Sequence, residues 1–309
     1  MANYLVTGAA GFIGAAISIK LLEQGNRVVT IDNLSTGYFE NIPKGVEFIE
    51  GDCANPNIYE KLPQYKYDAI LHIAGQSSGE ISFNDPIYDI RANAESTLLL
   101  LKFALKSGCN RFIYASTMSV YGNKPDRQIS ESDECSPESF YGVAKLASEQ
   151  YMKIYEKYGI NTTSVRLFNV YGPGQNMMNL KQGMVSIFIA QAMKDKKIHV
   201  KGDKSRFRDF IYIDDVTEIF IKCIKNKKTY GKTFNTGTGL KTSVESLVKI
   251  IVSIIDKNIL VEYSGNTKGD IHGIYANNDR MNDFFSLKKL TPLSQGIKQM
   301  IDSLDGNIQ

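Results

Sequence analysis

The first half of the chain alternates short apolar runs with longer stretches in which apolar residues return every three or four positions. The runs "YLVTG" (4–8), "RVVTID" (27–32), "VEFIEGD" (46–52), "DAILHIAG" (68–75), "RFIYAS" (111–116) and "NTTSVRLFNVYG" (161–172) carry strand signals. Between them, 14–25, 90–108 and 141–159 have helical apolar spacing. Strands apolar on both faces that alternate with helices belong to a parallel sheet covered on both sides. The expected fold class is α/β, a doubly wound parallel sheet with a smaller α/β domain towards the C-terminus. After Gly172 the alternation loosens, although "RDFIYIDDV" (208–216) again reads as a strand before a helix. We therefore expect one domain over 1–172, rejoined by 207–236, and a second occupying most of 173–309.

Composition narrows the classes of partner. A chain of 309 residues, 43% hydrophobic and 22% charged, can bury one large core or two coupled domains. A net charge of +3 with scattered lysines excludes a nucleic-acid footprint. Cys53, Cys109, Cys135 and Cys223 form no CxxC pair, so neither a zinc site nor a disulfide framework is expected. The N-terminal stretch has no basic leader and no apolar run reaches the length of a membrane span. The expectation is a cytoplasmic protein with reduced thiols, no membrane partner and no metal.

Candidate chemistry begins at "TGAAGFIG", where Gly8, Gly11 and Gly14 lie between the first strand and the first helix. Backbone amides can approach a pyrophosphate there, at the positive end of the helix, only where no Cβ obstructs them. A turn that merely packs a helix on a sheet would also use glycine; the strand–loop–helix context favours the dinucleotide. Asp32 ends the second strand eighteen residues past Gly14. An acid there accepts from the adenosine ribose hydroxyls and repels a 2′-phosphate, which favours NAD over NADP. Asp52, closing the third strand, is a candidate for the adenine edge or an ordinary turn residue.

A further candidate is "YGVAK" (141–145). Of the 17 tyrosines only Tyr141 has a lysine four positions on, and that spacing puts both on one helix face. A free tyrosine ionises near pH ~10. A neighbouring ammonium and a cationic nicotinamide would favour its phenolate, making Tyr141 a proton acceptor and Lys145 its partner. The alternative is an amphipathic helix with an exposed lysine and a half-buried tyrosine.

Together with "HIAGQ" (72–76), "YASTMSVYG" (114–122), "RLFNVYGPGQ" (166–175) and "FNTGTG" (234–239), these stretches resemble the extended short-chain dehydrogenase/reductase superfamily. Within it the chain is similar to the NAD-dependent sugar epimerases and dehydratases, and in pattern to the UDP-hexose 4-epimerases. The resemblance implies a Rossmann domain that binds NAD and a C-terminal domain that binds a nucleotide sugar. It makes Tyr141 the catalytic base, Lys145 its partner and Thr117 the third member of a triad. It implies cofactor contacts from Phe12, Ile13, Asn33, Cys53, Ala74, Gly75, Gln76, Asn93, Ser116, Tyr141 and Lys145, and substrate contacts from Asn169, Arg208, Asp270 and Thr117. It also implies a homodimer built through a four-helix bundle. The activity implied is 4-epimerisation through a transient 4-keto sugar. A C4 dehydrogenase or ketoreductase on a UDP-, GDP- or CDP-sugar, and a non-catalytic NAD sensor, are the alternatives.

Several positions depart from the family pattern. Met118 and Ser119 stand where 4,6-dehydratases carry an Asp–Glu pair, so elimination of water is not expected. Thr267, followed by Lys268, replaces an arginine before the "GD" motif at 269–270, which removes a bidentate phosphate clamp. Gly174, Met184 and Ile274 likewise differ from, or leave open, what UDP-hexose epimerases place there. Arg208 remains the best single ligand for a diphosphate.

Overall fold

The computed structural model describes residues 1–179, 182–265, 272–287 and 289–305. The strands expected in the first half form one seven-stranded sheet. We label Asn3–Thr7 β1, Arg27–Asp32 β2, Glu47–Glu50 β3, Ala69–His72 β4 and Arg111–Thr117 β5. In space the order is Lys232–Thr236, Asn161–Leu167, β5, β4, β1, β2, β3. The pairs β1–β2, β2–β3, β1–β4 and β4–β5 are all parallel. The order reverses beside β1, so the chain leaves β1 and β4 towards opposite edges, and their C-terminal ends flank a crevice.

The strands β1 and β4 are almost wholly buried because both faces are covered. On one face Leu5, Val29, Ile70 and Phe112 pack with Leu100, Leu101 and Ala104 of the Ser96–Ser107 helix and Met152 of the Phe140–Glu156 helix. That layer fixes the Phe140–Glu156 helix against the sheet, and with it the face bearing Tyr141, Lys145 and Glu149.

Two elements differ from the sequence reading. The helix expected over 90–108 contains a π turn at Arg91–Glu95 before regular geometry resumes. A π turn inserts a residue and frees a carbonyl from the usual ladder. The run 161–172 is not one strand. It leaves the large sheet at Phe168, whose N–H donates to Thr236 O at 3.1 Å, and Asn169–Tyr171 then pairs in parallel with Phe210–Tyr212.

The chain divides into two compact units: 1–122, 134–166 and 217–234 in the first, and 123–133, 167–216 and 235–309 in the second. The segment 123–133, expected with the first domain, lies in the second unit, as do 207–216. The second unit holds a four-stranded sheet ordered Thr242–Ser243, Phe207–Arg208, Gly273–Ala276, Gln128–Ile129. Buried Asp209 ties that unit together, accepting from Thr238 N, Gly239 N and Ala276 N at 2.8, 2.9 and 3.1 Å. No helix of the described residues is long and apolar enough to cross a membrane.

Candidate active site

The three glycines do different jobs. Gly8 has φ +81°, and a Cβ on it would lie 2.8 Å from Ala74 N. A Cβ on Gly14 would lie 2.1 Å from Gly8 O, so this glycine lets the helix close onto the strand. Gly11 differs: its Cβ would meet only Gly8 O, at 3.3 Å. Gly11 is also the N-cap of the Phe12–Glu23 helix, and no side chain caps that end. Its first-turn amides, at Phe12 and Ile13, are of the kind that could receive an anion.

Asp32 sits at the C-terminal end of β2. Its Oδ2 accepts from Ala10 N and its Oδ1 from Leu34 N, both at 2.9 Å. A carboxylate has about four lone-pair sites, so two remain for hydroxyls. Asn33 turns the following loop by accepting from Ser35 N at 3.1 Å, and Asp52 does the same for Ala54 at 2.8 Å. Cys53 is buried, and its carbonyl accepts from Tyr59 OH at 2.6 Å.

The end of β4 is fixed from below. Thr7 Oγ1 accepts from Ile73 N and Ala74 N, both at 3.1 Å, and lies 2.8 Å from His72 Nδ1. Burial, with the charge of Lys145, holds the His72 pKa well below its ordinary value, so the ring is neutral. A neutral Nδ1 accepts from the Thr7 hydroxyl, which leaves that oxygen free for the two amides. Gly75 follows, where a Cβ would stand 2.4 Å from Asn93 Oδ1 and 3.3 Å from Lys145 Nζ. Gln76 and Asn93, read separately from the sequence, are joined: Asn93 Nδ2 donates to Gln76 O at 3.0 Å.

Tyr141, Lys145 and Thr117 come together where the Phe140–Glu156 helix starts and β5 ends. Ser139 caps that helix by accepting from Gly142 N at 3.1 Å, which sets Tyr141 in the first turn. All three triad residues are buried. Lys145 Nζ donates to Ala115 O at 3.0 Å and lies 4.7 Å above the centre of the Tyr114 ring. Burial pushes Lys145 down to about 8, with Asp89 and Glu149 pulling the other way. Burial pushes Tyr141 up to about 12, eased by a hydrogen bond with Thr117 and reinforced by the Asp89 charge. The lowering expected from Lys145 is not found in the protein alone, where the loss of water dominates. Thr117 Oγ1 donates to Ser119 Oγ at 3.2 Å and accepts from Ser119 N at 3.1 Å.

Some participants escaped the sequence reading. Glu149 is buried and accepts from Ser116 Oγ at 2.5 Å and from Arg166 Nε and Nη2 at 3.0 and 2.6 Å. Arg166 in turn donates to Tyr121 OH at 2.8 Å. Glu149 stands eight residues after Tyr141, two turns along the same face, and that spacing was the available signal. Asp89, one turn before Asn93, is fully buried and accepts from Gln76 Nε2 at 2.7 Å.

In the second unit Asn169 and Arg208 are brought together. Asn169 Nδ2 donates to Asp209 O at 3.0 Å, next to Arg208 in the chain. Arg208 is buried, and its Nη1 donates to Phe207 O at 2.7 Å and His272 O at 3.3 Å. Burial and the charge of Arg206 push Arg208 down to about 10, a penalty that an anionic partner would relieve. Ile274 is buried opposite Arg208 in the same sheet. Asp270, with Thr267 and Lys268, lies outside the described residues.

Comparison with known proteins fits this arrangement. Residues 4–237 match the NAD dependent epimerase/dehydratase family. The chain is 31% identical over 305 residues to a UDP-glucose 4-epimerase of Mycolicibacterium smegmatis, covering 96% of this chain and 97% of the relative. Among solved structures it resembles the UDP-glucose 4-epimerase of Thermotoga maritima with UDP-glucose, with a TM-score of 0.93 and 31% identity over 99% of this chain and all of that one. It also resembles the Thermus thermophilus UDP-glucose 4-epimerase in complex with NAD, with a TM-score of 0.91 and 29% identity over 99% of this chain and all of that one.

Proposed function

The chain belongs to the NAD-dependent epimerase/dehydratase family, and from that membership we propose that it is a nucleotide-sugar 4-epimerase acting on a UDP-hexose. The observation that carries the proposal is the buried Tyr141–Thr117–Lys145 cluster at the end of β5, in the same unit as the glycine loop. The open side of Gly11, the uncapped helix start and the unpartnered Asn93 Oδ1 fit a dinucleotide. Gly8, Gly11, Phe12, Ile13, Gly14, Asp32 and Asn33 would hold its phosphates and ribose. Asp52 and Cys53 would hold its adenine, and Ala74, Gly75, Gln76, Asn93, Ser116 and Lys145 its nicotinamide half. NAD, when bound, supplies the hydride acceptor and donor for the sugar carbon and a positive charge beside Tyr141.

Tyr141 takes the proton of the sugar 4-hydroxyl and later returns it, with Thr117 sharing that oxygen. Lys145 keeps its cation on the same helix face, and burial of all three excludes water from the proton's path. In the second unit, Arg208 and Asn169 are the proposed contacts for the nucleotide diphosphate, together with Asp270. Ser119 cannot serve as the acid of an elimination, which favours epimerisation over 4,6-dehydration. The relatives named as UDP-glucose 4-epimerases support UDP over other nucleotides.

The test is to incubate the protein as purified with UDP-, GDP- and CDP-sugars, without added NAD, and to resolve products by NMR. A C4 epimer approaching equilibrium, absent with Tyr141→Phe, is the expected result. Accumulating bound NADH, or turnover only with an external ketosugar, would make it a C4 dehydrogenase or reductase. The same proposal includes a cytoplasmic, homodimeric enzyme. None of the four cysteines is in a disulfide. Val143 and Ile154 are about half exposed on the Phe140–Glu156 helix, as is Leu105 on the Ser96–Ser107 helix. Those faces suit a four-helix bundle between two copies. Sedimentation of Val143→Glu/Ile154→Glu as a monomer is the expected check.

A further inference from the structure

Asp89 stands out among the buried groups because no step assigned above uses it. It is fully buried, and one oxygen serves two amides while the other, Oδ2, has no hydrogen-bond partner. Oδ1 accepts from Gln76 Nε2 at 2.7 Å and from Asn93 Nδ2 at 3.2 Å. A buried carboxylate is a costly way to hold a helix turn, and an apolar residue would pack there more cheaply. Its retention at this place calls for a role that only an acceptor can fill.

The network shows that role. Asn93 Nδ2 spends its two N–H groups on Gln76 O and Asp89 Oδ1, both of which accept. The amide orientation of Asn93 is therefore dictated: nitrogen towards Asp89, oxygen away from it. That oxygen is buried, has no partner, and borders Gly75 beside Lys145 Nζ. Gln76 is fixed in the same way, its Nε2 shared between Ser78 O at 2.7 Å and Asp89, and its Oε1 accepting from Ser78 N. The π turn at Arg91–Glu95 supports the arrangement from behind. The carbonyl of Asn93 takes Thr97 Oγ1 at 2.6 Å and Ser148 Oγ at 3.1 Å, the latter from the helix that bears Lys145. Main chain and side-chain nitrogen are thus both occupied, and only Oδ1 is left to meet a ligand.

We propose that Asp89 is a positioning residue of the dinucleotide site: by holding the nitrogens of Gln76 and Asn93 it presents Asn93 Oδ1, next to Lys145, as an acceptor for a hydroxyl of the bound cofactor. The inference rests on the reading of this site as an NAD site and adds a residue to it. Burial pushes the Asp89 carboxyl up, and the hydrogen bonds from Gln76 and Asn93 and the charge of Lys145 offset that only in part. An Asn93 amide turned the other way would aim an N–H at the ammonium of Lys145 and offer the hydroxyl no lone pair.

The test titrates the full-length chain, freed of nucleotide, with NAD by calorimetry for Asp89→Leu, Asp89→Asn, Asn93→Ala and the Asp89→Leu/Asn93→Ala double variant. Asp89→Leu should weaken NAD about tenfold or more, and it leaves one buried N–H each of Gln76 and Asn93 without an acceptor, so a lower melting temperature accompanies the loss. Asp89→Asn keeps an acceptor and should recover most of that loss. In the Asn93→Ala background the Leu substitution should cost less than twofold, because the group it orients is gone. The inference is overturned if Asp89→Leu binds NAD within twofold of the parent, or if its loss is undiminished in the double variant. Should Asp89→Leu fail to fold, Asp89→Ala replaces it, with the same expected loss of NAD and the same overturning results. The readout is separate from sugar turnover. Coupled loss of NAD without any epimer formed would leave Asp89 standing and remove the epimerase reading, and the converse result would do the reverse.

Discussion

The ammonium of Lys145 lies 5.9 Å from the centre of the Tyr141 ring and gives its hydrogen bond to Ala115 O. The pair lies on one helix face, yet the lysine acts through space and not by grasping the phenol. With Tyr141 pushed up to about 12, forming its phenolate in the protein alone costs about 3 kcal/mol more than in water. The positive charge of a bound nicotinamide would offset that cost, which would couple proton abstraction to cofactor occupancy.

Tyr141→Phe removes the proposed proton acceptor and should leave the fold of the site intact. The expected outcome is a fall in kcat of about 10²–10⁴-fold with NAD still retained through gel filtration. Product formation followed by NMR, beside released NAD measured per chain, checks both halves. Loss of NAD from the variant would show that the Tyr141 hydroxyl is needed to hold the cofactor, and its effect on kcat could not then be ascribed to proton transfer alone.

Lys145 yields a pH prediction. Its folded pKa of about 8 lies below the ordinary 10.5, so below pH 8 the folded state carries a buried cation at a cost. Between about pH 8 and 10.5 the unfolded chain binds more protons than the folded one. Stability from this group therefore rises with pH across that window. Lys145→Met should be inactive yet more stable than the parent at pH 7, by up to about 3 kcal/mol. The advantage should narrow as the pH climbs from 8 to 10.5 in urea denaturation. An advantage constant over that window would mean that the lysine does not titrate there.

Much of this site was legible because its signals are local. The glycine loop, Asp32 and the Tyr141–Lys145 pair each lie within a few residues of an element boundary that hydrophobic spacing marks. What escaped depends on contacts distant in sequence. Asp89 and Glu149 drew no reading, because Gln76, Ser116 and Arg166, which meet them, lie far away in the sequence. The break at Phe168 was hidden because the apolar run continues unbroken through Asn169–Tyr171, although its pairing partners change. The π turn was hidden because a single inserted residue barely disturbs a helical pattern. The segment 123–133 has no signal of its own for the unit in which it lies.

The buried Glu149–Arg166 pair should be a structural keystone of β5. Its charges meet at 2.6 Å, and Glu149 also holds Ser116, the residue before Thr117. Arg166→Leu leaves the carboxylate buried without its cation, which should cost about 3–5 kcal/mol in urea unfolding. Replacing both charges, as Glu149→Leu/Arg166→Leu, should recover most of that loss. A double variant as unstable as the single one would show that packing at Arg166, not charge, holds the strand end.

Gly11 and Gly14 separate binding from folding within one loop. Gly11 has φ −94° and ψ 168°, ordinary for any residue, and a Cβ there meets only one atom of the chain, at 3.3 Å. Gly11→Ala should therefore fold with nearly parental stability and lose NAD affinity by about tenfold or more, because the methyl fills the space the pyrophosphate needs. At Gly14 a Cβ would lie 2.1 Å from Gly8 O and 2.6 Å from Gly8 C, atoms of a backbone that cannot swing aside. Gly14→Ala should lower the melting temperature first, and NAD binding only as a consequence. Thermal unfolding and NAD titration on both variants check the contrast. A Gly11→Ala protein that binds NAD normally would move the pyrophosphate away from this loop, and with it the cofactor site proposed for Asp32.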